Sequence, residues 1–261
     1  MERLFDLPIH LASRWIFNCY LVDDAGAGEP LVVDAGLPCT ASEVAARLRG
    51  GAATVVSTHG HSDHVSGIPA VLDACSATVH LPARCERYLA GERPRTPGMR
   101  EVIKIAPVLT GSPFDREAAA QFVAKDAPGY GRDPMMRVPF AVDGFLRDGE
   151  PITTAPDWQV LHTPGHTDDS TCLYHPDSCT LIAGDAVLTH DGKAWLNPEV
   201  VDRAQARQTE ERLRELDIRH LLPGHGRPIV GRHLLRDARS FASAAPGATL
   251  PALAARLFGS W

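Results

Sequence analysis

The sequence has no apolar run long enough to cross a bilayer, which excludes a membrane-spanning helix. It has no basic excess either. Its 26 Lys and Arg stand against 32 Asp and Glu, a net charge of -6, so a protein that grips nucleic acid through a broad basic surface is not expected. A local basic pocket for a small anion stays open. No two of its six cysteines (Cys19, Cys39, Cys75, Cys85, Cys172, Cys179) form a Cys-x-x-Cys pair. Their neighbours are core-like, as in Thr171-Cys172-Leu173, so small buried hydrophobes are expected rather than disulfides or metal ligands. There is no Gly-x-Ser-x-Gly elbow and no phosphate-cradling Gly-x-x-x-x-Gly-Lys. The first residues, Met1 to Pro8, lack the basic-then-apolar layout of a signal peptide, and a cytoplasmic location is the expectation.

What is present is ordinary in bulk and unusual in one place. A chain of 261 residues with 44% hydrophobic and 22% charged residues can form one large domain around a substantial core. Within it, His59-Gly60-His61-Ser62-Asp63-His64 packs four potential metal ligands into six residues. The stretch follows the β-branched run Ala53 to Val56 and precedes a helical pattern at Val65, Ile68, Val71 and Leu72. It therefore belongs on a strand-to-helix loop, where side chains can converge without a regular period. Three later segments each set one imidazole or carboxylate beside glycine after an apolar run: Pro164-Gly165-His166, Gly184-Asp185 and Pro223-Gly224-His225-Gly226. Five histidines and two aspartates suffice for two metal ions with positions left for water and substrate. A lone His-x-His, Gly-Asp or Pro-Gly-His would be an ordinary turn; the four segments together carry the weight.

Periodicity predicts antiparallel strands over about 9–36, a helix over about 40–49, a strand over 53–57, a strand at Thr78 to Leu81 and a helix from Pro82. Residues of about 91–139 differ in character, with Arg93-Pro94-Arg95-Thr96-Pro97, helical patterns over 99–109 and 115–125, then Pro128 to Pro134. This segment reads as an insertion that walls or covers the site. Strands are expected at about 140–147, 158–162, 170–175 and 179–183, a helix at 199–216, a strand at 218–222, a helical stretch at 232–244 and an apolar tail from Leu250 to Trp261.

The ligand segments and their order resemble the metallo-β-lactamase-fold hydrolase superfamily. Asn18 to Val22 and Leu31-Val32-Val33-Asp34-Ala35-Gly36 are similar to its first hairpin and Asp-containing turn. The resemblance implies a single α/β domain over 1–261, a four-layer αβ/βα sandwich. It assigns His59, His61 and His166 to a first metal, Asp63, His64 and His225 to a second, and Asp185 to both. It implies a metal-activated bridging hydroxide, with Asp63 adding proton transfer, and makes Asp34, Thr58 and Thr167 candidates for orienting imidazoles. The ligand types suit Zn, and also Fe or Mn.

Several reactions share this ligand set. A small ester, lactone or thioester is the expected substrate. A glutathione thioester is disfavoured because Gly60 stands where glyoxalase II enzymes commonly carry histidine, and because only 36 residues follow His225. β-Lactam hydrolysis and a non-haem iron oxygenase of the persulfide dioxygenase type are the alternatives. Lys193 and Trp195 are candidate substrate contacts on a loop beyond Asp185. Arg93, Arg95, Arg100 and Arg132 are weaker ones, more readily read as surface charges. The partner is a small molecule, with no nucleic acid and no membrane, and the apolar tail could serve a homodimer.

Overall fold

The computed structural model describes residues 1–131 and 133–243. Strands β1 (Glu2–Arg3), β2 (Ile9–Arg14), β3 (Phe17–Val22), β4 (Leu31–Val33), β5 (Ala52–Val56), β6 (Ser76–Pro82) and β7 (Gly144–Leu146) form one seven-stranded sheet in sequential order. Its first half is antiparallel, and β4 through β7 run parallel. The parallel crossovers carry α1 (Pro38–Leu48), then α2 (Ser62–Val65) and α3 (Ile68–Leu72). Helix α4 (Cys85–Leu89) follows β6.

A second sheet holds β8 (Pro151–Ile152), β9 (Ala155–His162), β10 (Thr171–His175) and β11 (Thr180–Gly184). The hairpin of β12 (Val187–His190) and β13 (Lys193–Leu196) stands apart from it. Strands β14 (His220–Pro223) and β15 (Ile229–Val230) complete the six-stranded second sheet in the order β15-β14-β11-β10-β9-β8. Only β11 and β14 pair in parallel there, and α8 (Arg203–Arg214) lies on the connection before β14.

Strand periodicity explains the layering. Along β3, Cys19 and Leu21 face the helices α1 and α3, while Tyr20 and Val22 face the second sheet. Val55 and Val56 divide in the same way, and so do Leu221 and Leu222 on β14. Strands buried on both faces read as continuous apolar runs, as Leu31-Val32-Val33 does. Three apolar interfaces result: helices on the first sheet, sheet on sheet, and second sheet on α8. This is the expected helix-sheet-sheet-helix sandwich, built of two mixed sheets flanked by helices.

Some expected elements differ. The 99–109 pattern breaks into α5 (Met99–Val102), a 3-10 turn at Ile103–Ile105 and α6 (Ala106–Thr110), where Pro107 starts a new helix. Helix α7 (Arg116–Phe122) is capped by Asp115, whose carboxylate accepts from the Glu117 and Ala118 amides. The strand expected over 140–147 shrinks to β7. Residues 232–243 form turns rather than a helix. The rest of that stretch, the Leu250 to Trp261 tail and Arg132 lie outside the described residues. All six cysteines are free thiols, and only Cys179 is not fully buried. No described helix is long and apolar enough to cross a membrane.

Candidate metal centre

All seven predicted ligand residues converge at one edge of the sandwich. Strand β5 ends at Val56, and the chain turns through Ser57 to His61 before α2 begins, so His59, His61, Asp63 and His64 come from one loop and one helical turn. His166 sits between β9 and β10, Asp185 directly after β11, and His225 directly after β14. Three clusters form: His59, His61 and His166; Asp63, His64 and His225; and His59, His64 and Asp185, which joins the other two. Every member is buried except His61, which is half-buried.

The spacings fit ions. His59 Nε2 and His61 Nδ1 are 3.1 Å apart. Asp185 Oδ2 lies 3.5 Å from His166 Nε2 and 3.1 Å from His225 Nε2, and Oδ1 lies 3.5 Å from His64 Nε2. Asp63 Oδ2 is 3.3 Å from His225 Nε2. Bonds of about 2.0–2.1 Å in tetrahedral geometry require edges of about 3.3 Å, so the donors already stand at coordination distance from one another. Among the described residues, His64 Nε2, His166 Nε2 and Asp185 Oδ1 are buried with no hydrogen-bond partner. Buried polar atoms are seldom left so, and a cation among them supplies what they lack.

The outward nitrogens are held by the fold. His166 Nδ1 donates to Glu199 O (2.7 Å) and His225 Nδ1 to Ile16 O (3.1 Å). His59 Nδ1 lies 3.2 Å from Thr58 Oγ1, and His64 Nδ1 lies 3.0 Å from Asp34 Oδ2 as an ion-pair contact without hydrogen-bond alignment. Asp34 sits at φ 54° after β4, in the left-handed region that aspartate tolerates better than most residues. From there its carboxylate accepts from the Thr58 amide (2.7 Å), the Thr58 hydroxyl (2.8 Å) and Ser57 Oγ (3.2 Å). These contacts present Nε2 of His59, His64, His166 and His225 to the interior. Asp34 and Thr58 therefore take their expected places. Thr167 does not: its hydroxyl bonds Ser170 within the same loop.

Crowding explains two of the glycines. A Cβ at Gly224 would collide with Asp185 Oδ1 and come within 2.9 Å of His64 Cε1. A Cβ at Gly60 would stand 2.8 Å from the Tyr130 ring and 3.0 Å from Met136 Cε. Tyr130, from the 91–139 segment, fills the space a larger residue would need. Its amide donates to Gly60 O, its carbonyl accepts from the Ser62 amide, and its hydroxyl donates to the buried Asp169, which also accepts from the Gly60 amide (2.7 Å).

The electrostatics of the metal-free cluster divide by cluster. Burial and the neighbouring His64 and His61 push His59 well below the usual imidazole value; burial and His166 hold His61 at about 4. In the other triplet carboxylates win. Burial opposes charge on His225, but Asp185 and Asp63 raise it to about 10. His64 is likewise raised, with Asp34, Asp185 and Asp63 outweighing burial. Burial would raise Asp63 too, yet His64 and His225 bring it to about 2.

The cluster floors a cavity of about 330 Å³. Ile16 and Phe17, at the tip of the β2–β3 hairpin, line it together with Met99, Val102, Ile105 and Phe122 of the 91–139 segment, and the Phe17 and Phe122 rings pack at 5.2 Å. That segment is tied down by Arg14, which pairs with Asp115 (2.6 Å) and Glu117 (2.9 Å), and by Trp15 Nε1, which donates to Leu109 O (3.0 Å). Arg95 instead pairs with Asp168 and Asp202 on the surface, and Arg93 and Arg100 are exposed and line no part of the cavity.

Lys193 and Trp195 require correction. They lie not on a loop but on the β12–β13 hairpin, whose turn residues Asp191 and Gly192 both have positive φ. Lys193 is exposed and does not line the cavity. Trp195 is buried behind the wall, against Ile105, Val108 and Leu188. The sequence reading missed Asn197, whose amide donates to Asp185 O (2.8 Å) and whose oxygen accepts from the Glu199 amide. It also missed Asn18, which donates to Pro223 O and Gly226 O around His225, and Glu199, a buried cavity residue whose carboxyl is raised by burial. Single polar residues next to apolar stretches carry no spacing signal that sets them apart from surface residues.

Comparison with known proteins agrees with this architecture. The chain is 25% identical over 263 positions to the probable metallo-hydrolase YflN of Bacillus subtilis (strain 168), covering 90% of each chain. Its fold is similar to that of the metallo-beta-lactamase family protein TTHA1429 from Thermus thermophilus, with a TM-score of 0.55 and 22% identity over 88% of this chain and 77% of that one. It is also similar to that of TTHA1623, solved in a di-iron-bound form, with a TM-score of 0.52 and 22% identity over 85% and 93%. The model of the metallo-beta-lactamase superfamily matches residues 14–225, a span that holds all seven clustered residues. With its buried His and Asp clusters meeting at Asp185, the chain belongs to the metallo-beta-lactamase superfamily and is a metal-dependent hydrolase.

Proposed function

We propose that the protein hydrolyses a small ester, lactone or thioester in the cytoplasm with two divalent ions, zinc by preference, held by His59, His61 and His166 and by Asp63, His64 and His225, with Asp185 shared. The observation that carries this reading is the pair of ligand triplets joined by one carboxylate at the floor of an apolar cavity of about 330 Å³. When bound, the ions would acidify a water and polarise the carbonyl it attacks. The chain's own residues do the rest. Phe17 and Phe122 exclude bulk water and receive the apolar part of the substrate. Asp63 approaches His225 and His64 through Oδ2, and we assign its other oxygen the proton of the attacking water. Asn197 and Asp34 fix the positions of Asp185 and His64 while charge develops. Free, buried thiols accord with a reducing compartment.

Tyr130 over Gly60 supports a substrate smaller than a glutathione conjugate, since the wall stands directly against the ligand loop. The intact second triplet supports two ions over the single iron of a persulfide dioxygenase, while the di-iron form of TTHA1623 makes iron the metal to test against zinc. Elemental analysis of protein purified without chelators, paired with an ester, lactone, thioester and β-lactam panel, tests the reading. Two equivalents of zinc with turnover of one of the first three classes is expected. One equivalent of iron with oxygen consumption and no hydrolysis would overturn it.

A further inference from the structure

Among the described residues lining the cavity, Glu199 is the one charged side chain that belongs to none of the three clusters. Its backbone is occupied, with N–H donating to Asn197 Oδ1 (2.8 Å) and C=O accepting from His166 Nδ1 (2.7 Å). The residue is 8% exposed, and no hydrogen-bond donor among the described residues reaches its carboxylate. Of the other polar side chains of the wall outside the clusters, Thr96 is exposed, while Ser62 and Tyr130 are already engaged. Ser62 Oγ donates to Tyr130 O, and the Tyr130 hydroxyl donates to Asp169. A mostly buried carboxylate without a protein donor is completed by what enters the opening that it lines. The opening that remains to it is the cavity, whose apolar lining includes Phe17, Met99, Val102, Ile105 and Phe122.

We propose that Glu199 is a specificity-determining residue that accepts a hydrogen bond from a substrate N–H, so that the preferred substrate is an apolar carbonyl compound carrying an amino or amide nitrogen near the scissile bond. This rests on the reading of the cavity as a hydrolase's substrate pocket. The residue touches no reacting atom; it selects and orients. A protonated amine would pair with the carboxylate as a charge-assisted bond, the stronger of the two options. Either source leaves the hydrocarbon of the substrate on the apolar wall. Glu199 thereby gives a polar anchor to a pocket that otherwise discriminates only by size.

Three inert amides of one shape separate the sources without any need for turnover: leucine N,N-dimethylamide (carbonyl and ammonium), N-methyl-4-methylpentanamide (carbonyl and neutral N–H) and N,N-dimethyl-4-methylpentanamide (carbonyl only). Their affinities would be measured calorimetrically on metal-loaded full-length protein, with Glu199→Gln and Glu199→Leu alongside. At least one N–H probe is expected to bind about tenfold or more tighter than the third. Glu199→Gln should erase an ammonium preference and keep a neutral one, whereas Glu199→Leu should erase both. Metal content and binding of the third probe should stay unchanged. Equal binding of all three probes, no binding of any, or Glu199 variants that lose metal and weaken every probe alike would overturn the proposal; the last would make the carboxylate a counter-charge to the ions. Failure of the hydrolase reading itself looks different: the N–H preference would persist while no ester, lactone or thioester is turned over.

Discussion

The two ligand triplets share a carboxylate and a wall, yet they are prepared for a cation in opposite ways. His59, His61 and His166 form an all-imidazole set, in which burial and mutual repulsion keep His59 and His61 neutral with lone pairs available. Asp63, His64 and His225 form a mixed set, in which Asp63, with Asp185 and Asp34 beside it, holds both imidazoles protonated. In the first triplet His59 and His61 stand ready as bare donors; the second triplet must give up protons before it can bind.

The harshest way to break this contrast is to remove what the triplets share. Asp185→Asn should lower kcat/KM by at least about 100-fold, the upper end of what a supporting partner costs, and strip metal from both sets. One full equivalent of metal retained in elemental analysis would show that Asp185 serves a single set. Titration with pH sharpens the contrast next. His64 and His225 have raised pKa values, so they are protonated near neutrality and each releases a proton on binding. Affinity at the second set should fall as pH falls, by up to about 100-fold per unit for two protons. Affinity at the first set should fall less steeply, because His59 and His61 are already neutral there and have no proton to release. Competitive chelator titrations read both constants.

A smaller effect is expected from Asp34→Asn. The Asp34 carboxylate stands 3.0 Å from His64 Nδ1 but reaches His59 only through Thr58. Metal affinity should weaken about 10- to 100-fold at the second set and less at the first; equal losses in the same titrations would mean that the loop responds as one unit. Smallest of all, Lys193→Ala should leave kcat and KM within about twofold, since surface changes away from a site are usually neutral. A larger change in steady-state kinetics would return the hairpin tip to the substrate path.

The same contrast explains how much could be read from the sequence. His59 to His64 lie on one loop at contiguous positions, and glycine marks the other three ligands, so the whole cluster was legible before any coordinates. The sandwich was legible through the resemblance that the ligand segments carry and through the strand and helix patterns of the two halves. Glu199, Asn197 and Asn18 were not, since their importance comes from contacts across the fold that no spacing records. The β12–β13 hairpin was legible in principle. Asp191-Gly192 between two alternating runs is a strong turn signal, and taking it for open loop placed Lys193 and Trp195 in the wrong surroundings. The stretch expected as a helix at 232–244 buries Leu235, Ala238 and Phe241 beside α8 through turns instead, where the Arg214 guanidinium takes the Leu235, Arg236 and Ala238 carbonyls.

One consequence concerns how long the assembled protein lasts rather than what it does. Asp63 and His64 come from the first sheet's loop, and His225 comes from the far end of the second sheet. An ion held among them fastens the two sheets as a buckle fastens a strap, closing most of the chain into a loop that need not be closed again after each local opening. The first triplet does the same through His166. Sequestering the ions should therefore unfasten the sandwich along its own midline, so that the apo form opens and is cleaved faster than the loaded one even where its secondary structure is intact.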